Sequence, residues 1–167
     1  MAPWTQTENC RINLPVFFES SSSEDTFSLG KRLSPLLKKG SIVALKGPLG
    51  AGKTCFAKGI AVGLGVEEEV TSPTYTIVSE YEGFLCDKNG TEAREPITIF
   101  HIDAYRLRGK DDFTAIGGED IIFGNGISVI EWSERICDFI PPGALRVDFE
   151  IKEDGKRTVH IYMADNK

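Results

Sequence analysis

Residues Gly47-Pro48-Leu49-Gly50-Ala51-Gly52-Lys53-Thr54 have the types and the spacing of a phosphate site. They fill every fixed position of G-x-x-x-x-G-K-[ST]. Glycine lets the backbone turn tightly, so that successive N–H groups point inward as a concave anion cradle. Lys53 is spaced to reach the outer phosphates of a nucleotide, and the Thr54 hydroxyl to ligate Mg²⁺. Two carboxylates belong to the same chemistry. Asp103 closes the apolar run that begins at Ile97, and Glu131 closes the run that begins at Ile127. Their hard oxygens suit Mg²⁺; one can ligate the metal or its waters while the other orients an attacking water. The chemistry implied is reaction at the phosphates of a nucleoside triphosphate.

Such residues work only if the fold brings them together. Ser41 to Lys46 is a short, β-branched, apolar run between Gly40 and Gly47, the pattern of a buried strand. Phe56, Ala57, Ile60 and Leu64 lie on one face of a helix that ends near Gly65. Strand, loop and helix is the context the phosphate motif requires, and the helix N-terminus adds its positive end to the site. The runs 97–103 and 127–131 read as two further buried strands. In an open α/β sheet, ligands bind beyond the carboxyl ends of the strands, where both acids and the loop would meet.

The rest of the chain supplies the frame. Residues 1–11 are polar and expected to be loose, and Leu14 to Phe18 reads as an edge strand, where Pro15 is tolerated. Ser20 to Asp25 reads as a serine-capped helix start, with Leu29, Leu33, Leu36 and Leu37 on the buried face, a kink at Pro35 and an end at Gly40. Residues 71–81 begin as a loop and become a strand. The segment 83–96 is polar, with turn signals at Asp87, Asn89 and Gly90, and is expected to form a surface hairpin or insert. Residues 111–123 suggest two short helices around Gly117-Gly118. Residues 144–151 and 158–163 alternate about Asp154-Gly155, as in a β-hairpin. One α/β domain over residues 1–167 follows, with a mainly parallel sheet flanked by helices and a C-terminal antiparallel hairpin.

Composition narrows the function classes. The chain has 167 residues, 41% hydrophobic and 26% charged, with a net charge of −6. No run of Lys and Arg offers the phosphate-neutralising cluster of a nonspecific nucleic-acid binder, so any RNA is expected to be held by a partner. Cys10, Cys55, Cys86 and Cys137 are far apart and form no C-x-x-C pair, which argues against zinc and for reduced thiols in the cytoplasm. No signal peptide and no membrane-spanning run are evident. Four features stay open on this reading. The Ser72-Pro73-Thr74 segment is either a γ-phosphate switch or a self-bonded turn. His101 is either a core or an active-site histidine. Arg106 is a candidate clamp for phosphate or carboxylate, and Trp132 either a core anchor or a stacking platform.

The segments Gly50 to Thr54, Thr71 to Tyr75, His101 to Leu107 and Glu131-Trp132 resemble, in order and spacing, those of the TsaE (YjeE) family. That family is the bacterial ATPase component of the tRNA threonylcarbamoyladenosine system, and the likeness runs from about Leu14 to Met163. It implies a P-loop fold binding ATP or ADP with Mg²⁺, held by Thr54 and Glu131. It implies Asp103 as a carboxylate needed for hydrolysis and Ser72 to Thr74 as the switch-like loop; with Lys53 and Glu131, Asp103 and Thr74 make up the candidate catalytic set. Nucleotide contacts would come from Ser23, Gly47, Leu49, Gly50, Ala51, Gly52, Lys53, Thr54 and Cys55. A basic residue of the last hairpin would join them, Arg157 or its neighbour Lys156. The partners implied are the TsaD and TsaB proteins, which hold the tRNA. The chain departs from the family at Pro48, usually Asp, and at Cys55, usually a second Thr; neither is a fixed position of the loop.

Two other classes compete. A small-molecule or nucleoside P-loop kinase shares the loop, but needs an acceptor pocket and an arginine-bearing lid, for which Arg94, Arg106 and Arg108 are few and scattered. A nucleotide-sensing adaptor would bind without turnover. A GTPase is disfavoured, since no N-K-x-D motif is present.

Overall fold

The computed structural model describes residues 14–85 and 95–163. Within them seven strands form one sheet: β1 (Val16–Ser20), β2 (Ile42–Lys46), β3 (Val78–Leu85), β4 (Glu95–Asp103), β5 (Ile127–Glu131), β6 (Leu145–Ile151) and β7 (Arg157–Met163). Their order across the sheet is β1-β7-β6-β2-β5-β4-β3. The four middle strands, β6, β2, β5 and β4, run parallel, whereas β1, β7 and β3 add antiparallel margins. The α/β class and the parallel core follow the sequence expectation; the margins make the sheet mixed. β2 and β5 lie at its centre and are buried on both faces, which is why they read as unbroken apolar runs.

Among the described residues four α-helices cover the sheet: α1 (Ser23–Leu33), α2 (Lys53–Gly63), α3 (Lys110–Ala115) and α4 (Gly118–Ile122). On one face Leu29 and Leu33 of α1 and Phe56 and Ile60 of α2 pack on Val43, Leu45, Val129 and Val147. On the other, Phe113, Ile122, Ile136 and Phe139 pack on Ile42, Ala44, Ile102 and Ile130. α1 and α2 touch backbone to backbone. A Cβ on Gly59 would stand 2.1 Å from the carbonyl oxygen of Phe27, and one on Gly30 would stand 2.2 Å from that of Phe56. Only glycine permits this approach.

Some boundaries differ from the sequence reading, each for a local reason. α1 does not run through Pro35 to Gly40; it stops at Leu33, and Ser34–Leu36 continue as a 3-10 turn with proline in its first positions. Proline is tolerated in the first positions of a helical turn, where its missing N–H leaves no bond unmade, so a short new turn replaces the expected kink. The cap is Ser22, whose hydroxyl accepts the Asp25 N–H at 3.0 Å. The polar segment at 83–96 begins and ends as strand, because Gly83 is packed against Leu64 and Ile99 in the β3–β4 hairpin; residues 86–94 between its arms lie outside the described residues. So do residues 1–11, Cys10 and Cys86; Cys55 and Cys137 are free thiols.

Candidate functional site

β2 leaves the middle of the sheet and the phosphate loop follows at once, with Lys53 as the first residue of α2. Gly52, the cap of that helix, has φ of 102°, and a Cβ there would approach the Thr26 side chain to 3.2 Å. The turn thus needs a left-handed residue beside a neighbour that leaves little room. Lys53 is 4% exposed. Its Nζ donates to the carbonyls of Gly47 at 2.6 Å and Pro48 at 2.8 Å, and lies 3.8 Å from the centre of the Trp132 ring. Burial pushes the Lys53 ammonium below its usual range, against the pull of Glu131, Glu134 and Asp103. An anionic ligand at the loop would offset that desolvation.

Parallel pairing of β4 with β5 sets Asp103 opposite Glu131 at the carboxyl ends of both strands, and pairing of β2 with β5 sets Leu45 beside Glu131. Both acids are nearly sealed from solvent, at 4% and 3% exposure, and buried carboxylates require donors. Glu131 Oε2 accepts the Thr54 hydroxyl at 2.9 Å, and Oε1 meets His101 Nε2 at 2.8 Å. Asp103 Oδ2 accepts the Thr74 hydroxyl at 2.8 Å, and Oδ1 accepts the Tyr105 N–H at 3.0 Å. The hydroxyls of Ser72 and Thr74 are themselves 2.8 Å apart. The main chain ties the same loop down: Asp103 N–H donates to the Ile77 carbonyl at 2.8 Å, and Ile77 N–H to that of Pro73 at 2.6 Å. Ile77 has φ of 68°, a left-handed conformation that costs a β-branched residue on the order of 1–3 kcal/mol. Residues 72–77 are therefore more than a self-bonded turn, since their hydroxyl and carbonyl groups fasten directly to Asp103.

A cleft of about 400 Å³ runs between these elements, lined by Leu49 to Cys55, Ser72, Thr74, Asp103, Tyr105, Glu131 and Trp132. Most of the expected site residues meet there. Gly47 does not; it lies against Phe149 on the opposite side of the loop, and its carbonyl takes the Lys53 bond. Ser23 stands one step outside, where its carbonyl accepts the Cys55 thiol at 3.1 Å, a thiol whose pKa burial raises. Of the two basic residues on the last hairpin, Arg157 reaches the loop, with Nη2 3.4 Å from the Gly50 carbonyl, whereas Glu19 holds Lys156 at 2.8 Å. Arg106 does not line the cleft; its guanidinium lies 4.8 Å from the centre of the Tyr75 ring. Sequence reasoning left His101, Tyr105 and Trp132 unassigned. The signal for His101 was there, two residues before Asp103 and so on the same face of β4.

The donor set suits Mg²⁺. Thr54, Glu131 and Asp103 offer only hard oxygens at the mouth of an anion cradle. Among the described residues no group of three or more His, Cys, Asp or Glu forms a cage of its own. Mg²⁺ is commonly held in this way, by one or two protein oxygens together with phosphates and water.

Known proteins resemble the chain along most of its length. A family model described as "Threonylcarbamoyl adenosine biosynthesis protein TsaE" matches residues 20–159. The tRNA threonylcarbamoyladenosine biosynthesis protein TsaE of Treponema pallidum (strain Nichols) is 40% identical over 142 residues, covering 85% of this chain and 96% of that protein. The protein of that name from Bacillus subtilis (strain 168) is 31% identical, covering 86% and 83%. The crystal structure of Bacillus subtilis YdiB superposes with a TM-score of 0.69 at 27% identity, covering 94% of this chain and 90% of that one. The family model spans the phosphate loop and both strand-end acids, relatives at 40% and 31% identity cover most of the chain, and on that basis the chain belongs to the TsaE family.

Proposed function

We propose that the chain binds ATP or ADP with Mg²⁺ and hydrolyses ATP as the nucleotide-driven subunit of threonylcarbamoyladenosine modification of tRNA. It would act with TsaD and TsaB in the cytoplasm and meet tRNA only through them. What carries this is the convergence of two hydroxyl–carboxylate pairs, Thr54 with Glu131 and Thr74 with Asp103, on the cleft beside the phosphate loop. The names of the relatives support the pathway, and no described helix is long and apolar enough to cross a membrane.

The geometry supports a role for each residue. The loop amides and the N-terminus of α2 cradle the phosphates. Lys53 exchanges its two loop carbonyls for phosphate oxygens. Thr54 and Glu131 would hold Mg²⁺, which when bound supplies positive charge against the phosphate oxygens. Asp103 is held at both oxygens and by its own N–H, so it is fixed well enough to orient a water for attack. Because Thr74 is bonded to Asp103, a change at residues 72–74 is felt at the carboxylate, as a switch requires. Among the described residues no arginine lines the cleft, which speaks against the arginine-bearing lid of a kinase and for slow turnover by the chain alone. The direct check is phosphate release from ATP by the pure protein and its Lys53→Ala variant, with nucleosides added as trial acceptors. Release of inorganic phosphate that Lys53→Ala abolishes is expected; transfer to an acceptor would favour a kinase.

A further inference from the structure

We propose that His101 is a positioning residue that aims Glu131 at the metal site, an inference that rests on the Mg²⁺ assignment above. Glu131 is buried and its oxygens only accept hydrogen bonds. Oε2 faces the Thr54 hydroxyl and the cleft, which leaves Oε1 to a protein donor, and His101 Nε2 stands there at 2.8 Å. His101 is 2% exposed, does not line the cleft, and is fixed in the β4 ladder opposite Val129. Its only described side-chain bond is the one to Glu131, since Nδ1 is buried without a partner among the described residues. A carboxylate cannot donate, so Nε2 carries the hydrogen of this bond. An apolar side chain would fill the same space without leaving a buried nitrogen unmet, and that nitrogen is a cost. The offsetting gain is the Nε2 bond. It stops Glu131 from rotating about its terminal bond and holds Oε2 toward Thr54. Partners that orient a ligating carboxylate in this way set metal affinity without touching the metal.

The test is calorimetric binding of ADP with Mg²⁺ and with EDTA, for the wild type, His101→Leu, His101→Gln and Glu131→Ala. His101→Leu is expected to lose about tenfold or more of the affinity that Mg²⁺ adds, with ADP binding in EDTA unchanged. His101→Gln keeps an N–H donor near the Nε2 position and should recover most of the loss. If His101→Leu fails to fold, His101→Asn takes its place, being polar but too short to reach Glu131. Wild-type Mg²⁺ dependence in a folded His101→Leu protein overturns the positioning role, as does an equal loss in both buffers. If Glu131→Ala itself leaves the Mg²⁺ dependence intact, the metal assignment falls and this inference with it. If only His101→Leu leaves it intact, the metal assignment stands and the positioning role alone is wrong.

Discussion

In the proposed reaction, Asp103 is the residue on which hydrolysis would depend most directly. It is buried, with one oxygen on Thr74, the other on the Tyr105 amide, and its own N–H on Ile77. Asp103→Asn keeps the size and some of these bonds but cannot act as a base. It should lower kcat for ATP hydrolysis by about 10²–10⁴-fold, with Mg²⁺–ADP affinity nearly unchanged by calorimetry. A parallel fall in affinity would instead make Asp103 a ligand-binding group. Such candidates were legible in the sequence because the phosphate loop is contiguous and both acids end apolar strands. Their partnerships were not. Thr74 meets Asp103 across 29 positions and Thr54 meets Glu131 across 77, distances that only the strand order sets. Ile77's left-handed backbone had no signal at all, since nothing in a β-branched residue marks it for that conformation.

At the scale of elements, the site depends on how α2 is held, because the helix starts at the loop and packs its backbone on α1. Gly59→Ala puts a methyl against the Phe27 carbonyl. It should cost about 1–3 kcal/mol of stability, read as a lower denaturant midpoint with an unchanged slope. A midpoint equal to the wild type's would mean that the helices are free to part. A second contact ties β1 to the turn between β6 and β7. Hydrogen bonds from Lys152 and then Lys156, with their charges, hold the Glu19 carboxyl down from its ordinary 4.5 to about 2. A depressed carboxylate contributes stability above its unfolded pKa and loses it as pH falls through the folded value. The stability gap between wild type and Glu19→Gln should therefore be present above about pH 4.5, close towards about pH 2, and shrink in high salt, because the carboxylate and its two lysines lie at the surface. A gap that persists at pH 2 would point to packing rather than charge. Strands written as unbroken apolar runs were legible: 127–131 was read to the residue. Pro35 was not, because it can kink a helix or open a separate 3-10 turn, and tertiary packing chooses between them.

The whole molecule combines an acidic chain of net charge −6 with a nucleotide cleft whose described lining holds no arginine. Neither property suits a protein that grips RNA alone or turns over quickly alone, and both suit a subunit completed by partners. The family, the parallel core and the C-terminal hairpin were legible from motif order and alternation, whereas the antiparallel pairing of β1 with β7 and the nearness of Arg157, rather than Lys156, to the phosphate loop needed the sheet in three dimensions. The central claim is that this chain is an ATPase harnessed to tRNA modification. The most direct measurement is ATP hydrolysis by the pure protein with and without a purified TsaD–TsaB pair from the same source. Slow turnover alone, clear stimulation by the pair and loss of both in Lys53→Ala are predicted; ordinary enzyme rates alone, or no response to the pair, would contradict it.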